Sequence, residues 1–371
     1  MRGVFDYRWK LKDAAFTKDK GTVFSCFACG GGSSMGYKLA GFDVVGCNEI
    51  DKRMADLYCR NLSPEYCFIE PMQEFVERES FPERLYGLDI LDGSPPCSTF
   101  SMAGSREKAW GVEKVFREGQ AAQVLDTLFF DFIKLAKRLQ PKVVVAENVR
   151  GLLLGNAKSY VRRIYEGFLD AGYYVNHYLL DASKMGVPQK RERVFFVCIR
   201  KDLAHHVKCE HDLFGMIPLL DLDFNCPPVP LSECYDGKGK EVASKELRKM
   251  WEGRKPGDND MGDTAIRIYG KEKLFNHKYV YMDKVCLTLT AQKDGIIHFD
   301  KPLYLSRGEV VSISSFPQDY DFGTQNPHYV CGMSVPPVMM AQVAERIYYQ
   351  WLDKIKSNKK NMEDLNKKNH D

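Results

Sequence analysis

From residue 22 to residue 199 the sequence alternates short, β-branched apolar runs with longer stretches of helical periodicity. That alternation constrains the fold more than any other feature, because strands separated by helices pair most readily as a parallel sheet covered by helices. Candidate strands cover residues 22–28, 43–49, 85–92, 142–148, 173–181 and 193–199, and candidate helices cover 33–40, 52–61, 121–139 and 159–171. The third helix is the clearest, with Leu125, Leu128, Phe129, Phe132, Leu135 and Leu139 on one face at helical spacing. The expected fold class is α/β, built on a Rossmann-like sheet.

Past Ile199 the alternation stops. Residues 205–281 carry Pro227-Pro228-Val229-Pro230, scattered glycines and a basic stretch at 238–278, which predicts a smaller, irregular domain. Helical spacing returns at 337–355, and this last helix is expected to pack beside the first loop of the sheet domain. The expected division is one domain of residues 1–199 completed by 328–355, a second of 200–327, and a disordered tail of 356–371 rich in lysine and asparagine. A chain of 371 residues is long enough for about two such domains. Its 44% hydrophobic and 28% charged residues are those of a soluble globular protein. No window approaches the ~20 apolar residues of a membrane span. The N-terminus is mixed and charged, without the apolar core of a secretory signal. Twelve cysteines without regular spacing predict free thiols in a reducing cytoplasm. The one CxxC, Cys26 and Cys29, lacks a second pair or a histidine partner, so no metal is expected. A net charge of +3 is too small to announce nucleic acid by itself.

Chemistry-bearing segments cluster at strand ends. Phe27-Ala28-Cys29-Gly30-Gly31-Gly32 follows the first strand and opens a helix, where glycines permit a tight turn and close approach of a ligand to the backbone. Glu49 ends the second strand about 20 residues on, placed to take both hydroxyls of a ribose, and Ile50 is placed to pack on an adenine. An adenosine-containing cofactor is the favoured reading, with a nicotinamide dinucleotide and an ordinary strand-turn-helix as alternatives. Asp92-Gly93-Ser94-Pro95-Pro96-Cys97 places a cysteine after two prolines at the end of a buried strand, on a nearly fixed backbone that suits a nucleophile. Alone it fits better a turn followed by a small buried residue. Glu147-Asn148-Val149-Arg150 ends another strand at the same edge, and its glutamate suits proton delivery or, more plainly, a cap or salt bridge. Gln189-Lys190-Arg191-Glu192-Arg193 enters a strand with both arginines on one side, suited to a phosphate or carbonyl or else to a solvated edge. Gly332-Met333-Ser334-Val335-Pro336-Pro337 opens the last helix.

Taken in order, these segments resemble the DNA (cytosine-5) methyltransferases, bacterial or phage type, over nearly the whole chain. FACGGG at 27–32 resembles that family's cofactor loop and NEID at 48–51 its ribose-binding acid. GSPPCSTFS at 93–101 is similar to the nucleophile loop, ENVRG at 147–151 to the catalytic glutamate and GVPQKRERVFFV at 186–197 to the arginine strand. LTLTAQKDG at 287–295, LSRGEVVSISSFP at 305–317 and GMSVPP at 332–337 resemble the later blocks. Cys29 departs from a usual glycine, Met333 from a usual asparagine, and Ser98 and Thr99 replace commoner residues. No clean Asp-Ile follows the ribose acid around residues 70–73.

The resemblance implies an S-adenosyl-L-methionine-dependent sheet with a smaller target-recognition domain. It implies Cys97 as nucleophile on C6 of a flipped-out cytosine, Glu147 as the acid at N3, Arg193 at O2, and Arg191 supporting the strand or a phosphate. The implied cofactor contacts are Phe27, Gly30, Gly31, Gly32, Glu49, Ile50, Met72, Pro96, Leu128, Ser334 and Val335, and the implied DNA contacts are Ser101 and Gln189. The loop at 101–120, with Gly104, Gly111 and Gly119 as hinges, is expected to close over DNA. The expected setting is a monomer on double-stranded DNA in the cytoplasm of a bacterial or phage-infected cell, with a cognate restriction endonuclease as a further partner. Three alternatives remain at this point. One is an RNA (tRNA) cytosine-5 methyltransferase, though the Cys-Phe-Thr tripeptide of that branch is absent. Another is a catalytically inactive DNA-binding relative, and the last is a nicotinamide oxidoreductase, which leaves the Pro-Pro-Cys loop unexplained.

Overall fold

Valine-rich runs such as Val143-Val144-Val145 form strands buried on both faces, because β-branched side chains pack well on a pleated surface. The computed structural model describes residues 5–96, 127–212, 215–271, 277–291 and 295–358, with the backbone of 113–114 and 123–124. Seven strands form one sheet: β1 (Thr22–Cys26), β2 (Asp43–Asn48), β3 (Tyr66–Phe68), β4 (Ile90–Gly93), β5 (Val143–Val149), β6 (Tyr173–Asp181) and β7 (Glu192–Arg200). Their order is β3-β2-β1-β4-β5-β7-β6. Strands β3, β2, β1, β4 and β5 pair in parallel, but β7 runs antiparallel to β5. The sheet is therefore mixed rather than purely parallel. Apolar periodicity marks a strand without giving its direction, so the reversal is invisible in the sequence.

Helices α1 (Gly32–Leu39), α2 (Lys52–Leu62), α3 (Met72–Val76), α4 (Leu128–Leu139) and α5 (Lys158–Asp170) accompany the sheet. Asp51 caps α2 by accepting from the Arg53 amide at 2.9 Å. The apolar stripe of α4 is buried from Leu128 through Phe129, Phe132 and Leu135 to Leu139. Phe129, Phe132, Phe168 and Phe196 belong to one large core with Leu91, Val144 and Ala146. Strand β3 escaped the sequence reading because three residues carry no periodicity.

The chain divides into two compact units, one of Ala15–Leu180, Glu192–Asp223 and Met340–Asp371, the other of Met1–Ala14, Asp181–Arg191 and Phe224–Met339. These lines differ from the 199/200 and 327/328 boundaries expected from sequence: residues 200–223 group with the sheet, whereas 1–14, 181–191 and 328–339 group with the later residues. The second unit contains α6 (Lys245–Glu252), α7 (Met261–Tyr269), α8 (Arg307–Ile313) and α9 (Pro327–Met333); α6 and α7 supply Met250, Met261 and Ala265 to a core shared with Val242, Tyr279 and Ile297. Its basic stretch is put to mixed use. Arg254 lies over the Trp251 ring and Arg267 pairs with Asp258, whereas Lys238, Lys240, Lys245, Lys249 and Lys255 are exposed. Helix α10 (Pro337–Ile347) leads to Tyr348, whose ring meets Phe42 edge-on just after the C-terminal end of α1. That contact is at the end of α1 remote from the turn at 27–31.

Candidate active site

Strands β1, β2, β4 and β5 end along one edge of the sheet, and because β7 is antiparallel its first residues lie at the same edge. The register sets Glu147 opposite Phe195 and Val149 opposite Arg193, making Glu147 and Arg193 diagonal neighbours on one face. Arg193 Nε lies 2.9 Å from Glu147 Oε1, with the two side chains 14% and 10% exposed. Burial pulls the Arg193 pKa below its ordinary value, and the Glu147 carboxylate beside it opposes that shift. A buried ion pair is costly to desolvate and stands only while both partners remain.

Two residues that the sequence reading passed over hold the exit of β4. Asn148 Nδ2 donates to the Pro95 carbonyl at 3.1 Å, while Asn148 Oδ1 accepts from the Val149 amide at 2.9 Å. The Ser94 amide donates to the Cys26 carbonyl at 3.4 Å. Gly93 lies so close to Phe132 that a Cβ would sit 2.5 Å from the ring, and the same ring lies 6.4 Å from Phe27. Phe132 thus props two loops at once. Asp92, also unforeseen, is a buried carboxylate one position earlier. An asparagine beside a glutamate and an aspartate before a glycine read as ordinary polar residues, so only the register reveals their roles. Pro96 is half-buried. Cys97 and Ser101 lie outside the described residues, as does the loop expected to close apart from the backbone of 113–114.

The turn between β1 and α1 contains positive φ at Phe27 (53°), Cys29 (46°) and Gly31 (84°). That conformation is unusual for a phenylalanine and a cysteine, and such strain persists only where surrounding contacts enforce it. Here the Cys29 amide donates to Glu49 Oε2 at 2.7 Å, and the Asp51 amide donates to Glu49 Oε1 at 2.8 Å. At Gly31 a Cβ would lie 2.6 Å from the Leu62 side chain, so another residue there would add displacement of that side chain to the strain of a positive φ. Gly30 and Gly32 are buried beside it. Burial pushes the Glu49 carboxyl up to about 7, against the lowering effect of its amide bonds to Asp51 and Cys29. The Ile50 amide also bonds this carboxylate, and with about four acceptor sites in all Glu49 keeps capacity for a further hydroxyl donor.

Ile50 is half-exposed beside Glu49. Asn48 Nδ2 donates to the carbonyls of Phe68 (3.4 Å) and Glu70 (3.0 Å), fixing the segment that leads into α3. Met72, at the start of α3, is 2% exposed, and Leu128, at the start of α4, is fully buried; both belong to the large core. A buried carboxylate with spare acceptor capacity, a half-exposed isoleucine and a glycine turn opening a helix form a donor set that fits an adenosine bearing a vicinal diol.

In the other unit, Arg191 is 2% exposed and donates through Nη1 to the Leu289 carbonyl and through Nη2 to that of Gly332, both at 2.9 Å. Gln189 is equally enclosed: Nε2 donates to the Ile313 carbonyl at 3.2 Å and Oε1 accepts from the Leu289 amide at 3.3 Å. Ser334 Oγ donates to the Val330 carbonyl at 2.8 Å, and Val335 is buried. Arg191 and Gln189 thus tie segment 189–191 to Leu289, Ile313 and Gly332, while the Ser334 bond stays within its own segment. Glu147 and Arg193 come together at the sheet edge, where the turn carrying Phe27 and Gly30–Gly32 also ends against Glu49.

The family model described as C-5 cytosine-specific DNA methylase matches residues 21–349. The Type II methyltransferase M.Sau96I of Staphylococcus aureus is 30% identical over 343 residues, covering 85% of this chain and 72% of that protein. The Type II methyltransferase M.DdeI of Desulfomicrobium norvegicum is 32% identical over 382 residues, covering 88% of each chain. Among solved structures, Spodoptera frugiperda DNMT2 superimposes with a TM-score of 0.60 at 16% identity.

 That superposition spans 88% of this chain and 99% of the other, and it shows a shared fold.

Proposed function

The chain belongs to the C-5 cytosine-specific DNA methylase family and is a DNA (cytosine-5) methyltransferase, and we propose that it works through a covalent Cys97–C6 adduct on a cytosine flipped out of double-stranded DNA. The buried Glu147–Arg193 pair at the sheet edge, beside the Asn148-held Pro95, carries this reading. Cys97 follows Pro96 directly, so its backbone enters the site from a segment with fixed φ angles. Its thiolate would attack C6 and make C5 nucleophilic. Glu147 would hold and protonate N3 as negative charge builds on the ring, an effect typically worth about 10²- to 10⁴-fold. Arg193, already paired with Glu147, would donate to the base carbonyl at O2. Arg191 would act by holding its own segment together rather than by reaching the base. Loss of the C5 proton would then expel Cys97 and restore the aromatic ring.

Members of this family use S-adenosylmethionine, which when bound supplies an electrophilic methyl group to C5. Glu49 would take the ribose hydroxyls, Ile50 would pack on the adenine, and the turn of Phe27 and Gly30–Gly32 would receive the amino-acid end. The proposed set also includes Pro96, Ser334 and Val335, with Met72 and Leu128 shaping the pocket wall from the core. Residues 200–327 would read the DNA, with the exposed lysines of 238–255 meeting phosphates and Ser101 and Gln189 as further contacts. For Gln189 this requires its internal hydrogen bonds to open. The proposed setting is a monomer in the cytoplasm, and the relatives' designation as Type II methyltransferases supports a modification enzyme paired with an endonuclease of the same specificity. Among the described residues no helix is long and apolar enough to cross a membrane.

Bisulfite sequencing of plasmid DNA from a methylation-deficient host expressing the protein tests the proposal. Protected cytosines in one short motif, absent with Cys97→Ala, are expected. Protection that survives Cys97→Ala would overturn the covalent route, and methyl transfer to RNA but not DNA would favour the tRNA-type alternative.

A further inference from the structure

Asp92 is 1% exposed, and the chemistry above gives it no part. It stands opposite Ser25 in the β1–β4 register. Its Oδ2 accepts from Ser25 Oγ at 2.8 Å and its Oδ1 from Tyr37 Oη at 3.2 Å, and the Ser33 hydroxyl bonds it as well. Ser25 lies at the end of β1, while Ser33 and Tyr37 lie on α1, so the three hydroxyls come from the two elements that flank the glycine turn. Asp92 itself lies one residue from the end of β4, and Ser94-Pro95-Pro96 follow. Three converging donors suit an ionised carboxylate, which offers only acceptors; a protonated one must find an acceptor for its own O–H.

We propose that Asp92 is a positioning residue, whose carboxylate ties the exit of β4 to both flanks of the glycine turn and so sets the nucleophile segment against the cofactor end of the site. The proposal rests on Cys97 being the nucleophile. Burial raises the Asp92 pKa to about 7, against the pull of the Ser25 and Tyr37 hydroxyls, and the charge of Glu147 adds to the rise. The tie is therefore complete on the alkaline side of neutrality and weakens on the acid side, where one hydroxyl must turn to accept. The other titratable groups facing it are Cys26 on β1, Tyr37 on α1, Tyr58 on α2 and Glu147 on β5. Burial holds the thiol and both phenols well above their usual ranges, so they stay neutral throughout.

The test is single-turnover methyl transfer from labelled S-adenosylmethionine to unmethylated plasmid DNA across the neutral pH range, with S-adenosylmethionine affinity measured separately. Asp92→Asn should slow transfer about 10- to 100-fold on the alkaline side, the scale of a misplacement of about 1 Å. Affinity for S-adenosylmethionine should change by less than about threefold, and the acid-side fall in rate should flatten. Ser25→Ala and Tyr37→Phe each remove a donor to the carboxylate and should move the midpoint of that fall to higher pH. The inference is overturned if Asp92→Asn keeps the wild-type rate and profile, or loses affinity and rate by the same factor, or if both hydroxyl variants leave the midpoint in place. Should Asp92→Asn fail to fold, the two hydroxyl variants decide. A wild-type protein that transfers no methyl group, or a Cys97→Ala variant as active as wild type, would instead remove the reading on which the inference rests.

Discussion

Removing Glu147 should destabilise the protein as well as inactivate it, and the two losses can be separated. At 2.9 Å and an effective dielectric constant of ~20, the Glu147–Arg193 attraction is about 6 kcal/mol before desolvation is subtracted. Both side chains are largely shielded from water, so Glu147→Ala leaves Arg193 charged, buried and without this partner. The cost of breaking such a pair from one side is about 3–5 kcal/mol. At roughly 2–4 °C per kcal/mol for a domain of this class, Tm should fall by about 6–20 °C. Replacing both residues, as in Glu147→Ala with Arg193→Leu, removes the stranded charge. The double variant should therefore be more stable than the two single losses predict, by about 1–3 kcal/mol of coupling. Activity should be lost in all three proteins. Urea unfolding of the four proteins closes the cycle. If the single losses add to within about 0.5 kcal/mol, the pair is not a coupled buried interaction and the reasoning fails.

Gly93→Ala should cost about 1–3 kcal/mol in chemical denaturation through overpacking against Phe132; a neutral substitution would mean that the ring can move away cheaply. Asn148→Ala leaves the Pro95 carbonyl without its side-chain donor, at about 1–3 kcal/mol, and should lower kcat while S-adenosylmethionine affinity holds. Equal losses of rate and affinity would count against a local role. Glu49 and Asp92 both titrate higher in the folded chain than an exposed carboxyl, so folding favours their protonated forms. The stability they confer is fully present below about pH 4, the unfolded range, and is lost as pH rises through about 7. Glu49→Gln should flatten the resulting fall of Tm between mildly acid and mildly alkaline pH and weaken S-adenosylmethionine binding, as read by calorimetry. An unchanged slope would show that Glu49 titrates normally.

The parts of the molecule legible in the sequence were those with a local signal. Val143-Val144-Val145 and the stripe from Leu128 to Leu139 announced their elements through periodicity, and the turn after β1 announced itself by its glycines. The helices of the second unit were missed, although several carry start signals: Ser306 and Glu309 form a reciprocal cap on α8, Asp260 caps α7, and Asn326 with Pro327 opens α9. Those helices are seven to nine residues long, too short for periodicity to rise above the surrounding prolines and glycines. Features that depend on one strand lying beside another left no trace at all. The reversal of β7 brings Arg193 to Glu147, and the pairing of β1 with β4 sets Ser25 against Asp92; neither is written in any local window. Gln189 and Arg191 show a different limit. Arg191 was expected to support the strand or a phosphate and Gln189 to contact DNA, and only long-range packing reveals that both are enclosed among backbone groups.

The most direct test of covalent catalysis is trapping. A duplex carrying the bisulfite-defined motif, with 5-fluorocytosine at the target position, is incubated with the protein and S-adenosylmethionine and then denatured in detergent. Fluorine at C5 cannot leave as a proton does, so the adduct should persist as a protein–DNA species that Cys97→Ala does not form. Methylation of the ordinary motif without any trapped species on the fluorinated one, or trapping that survives Cys97→Ala, would contradict the account.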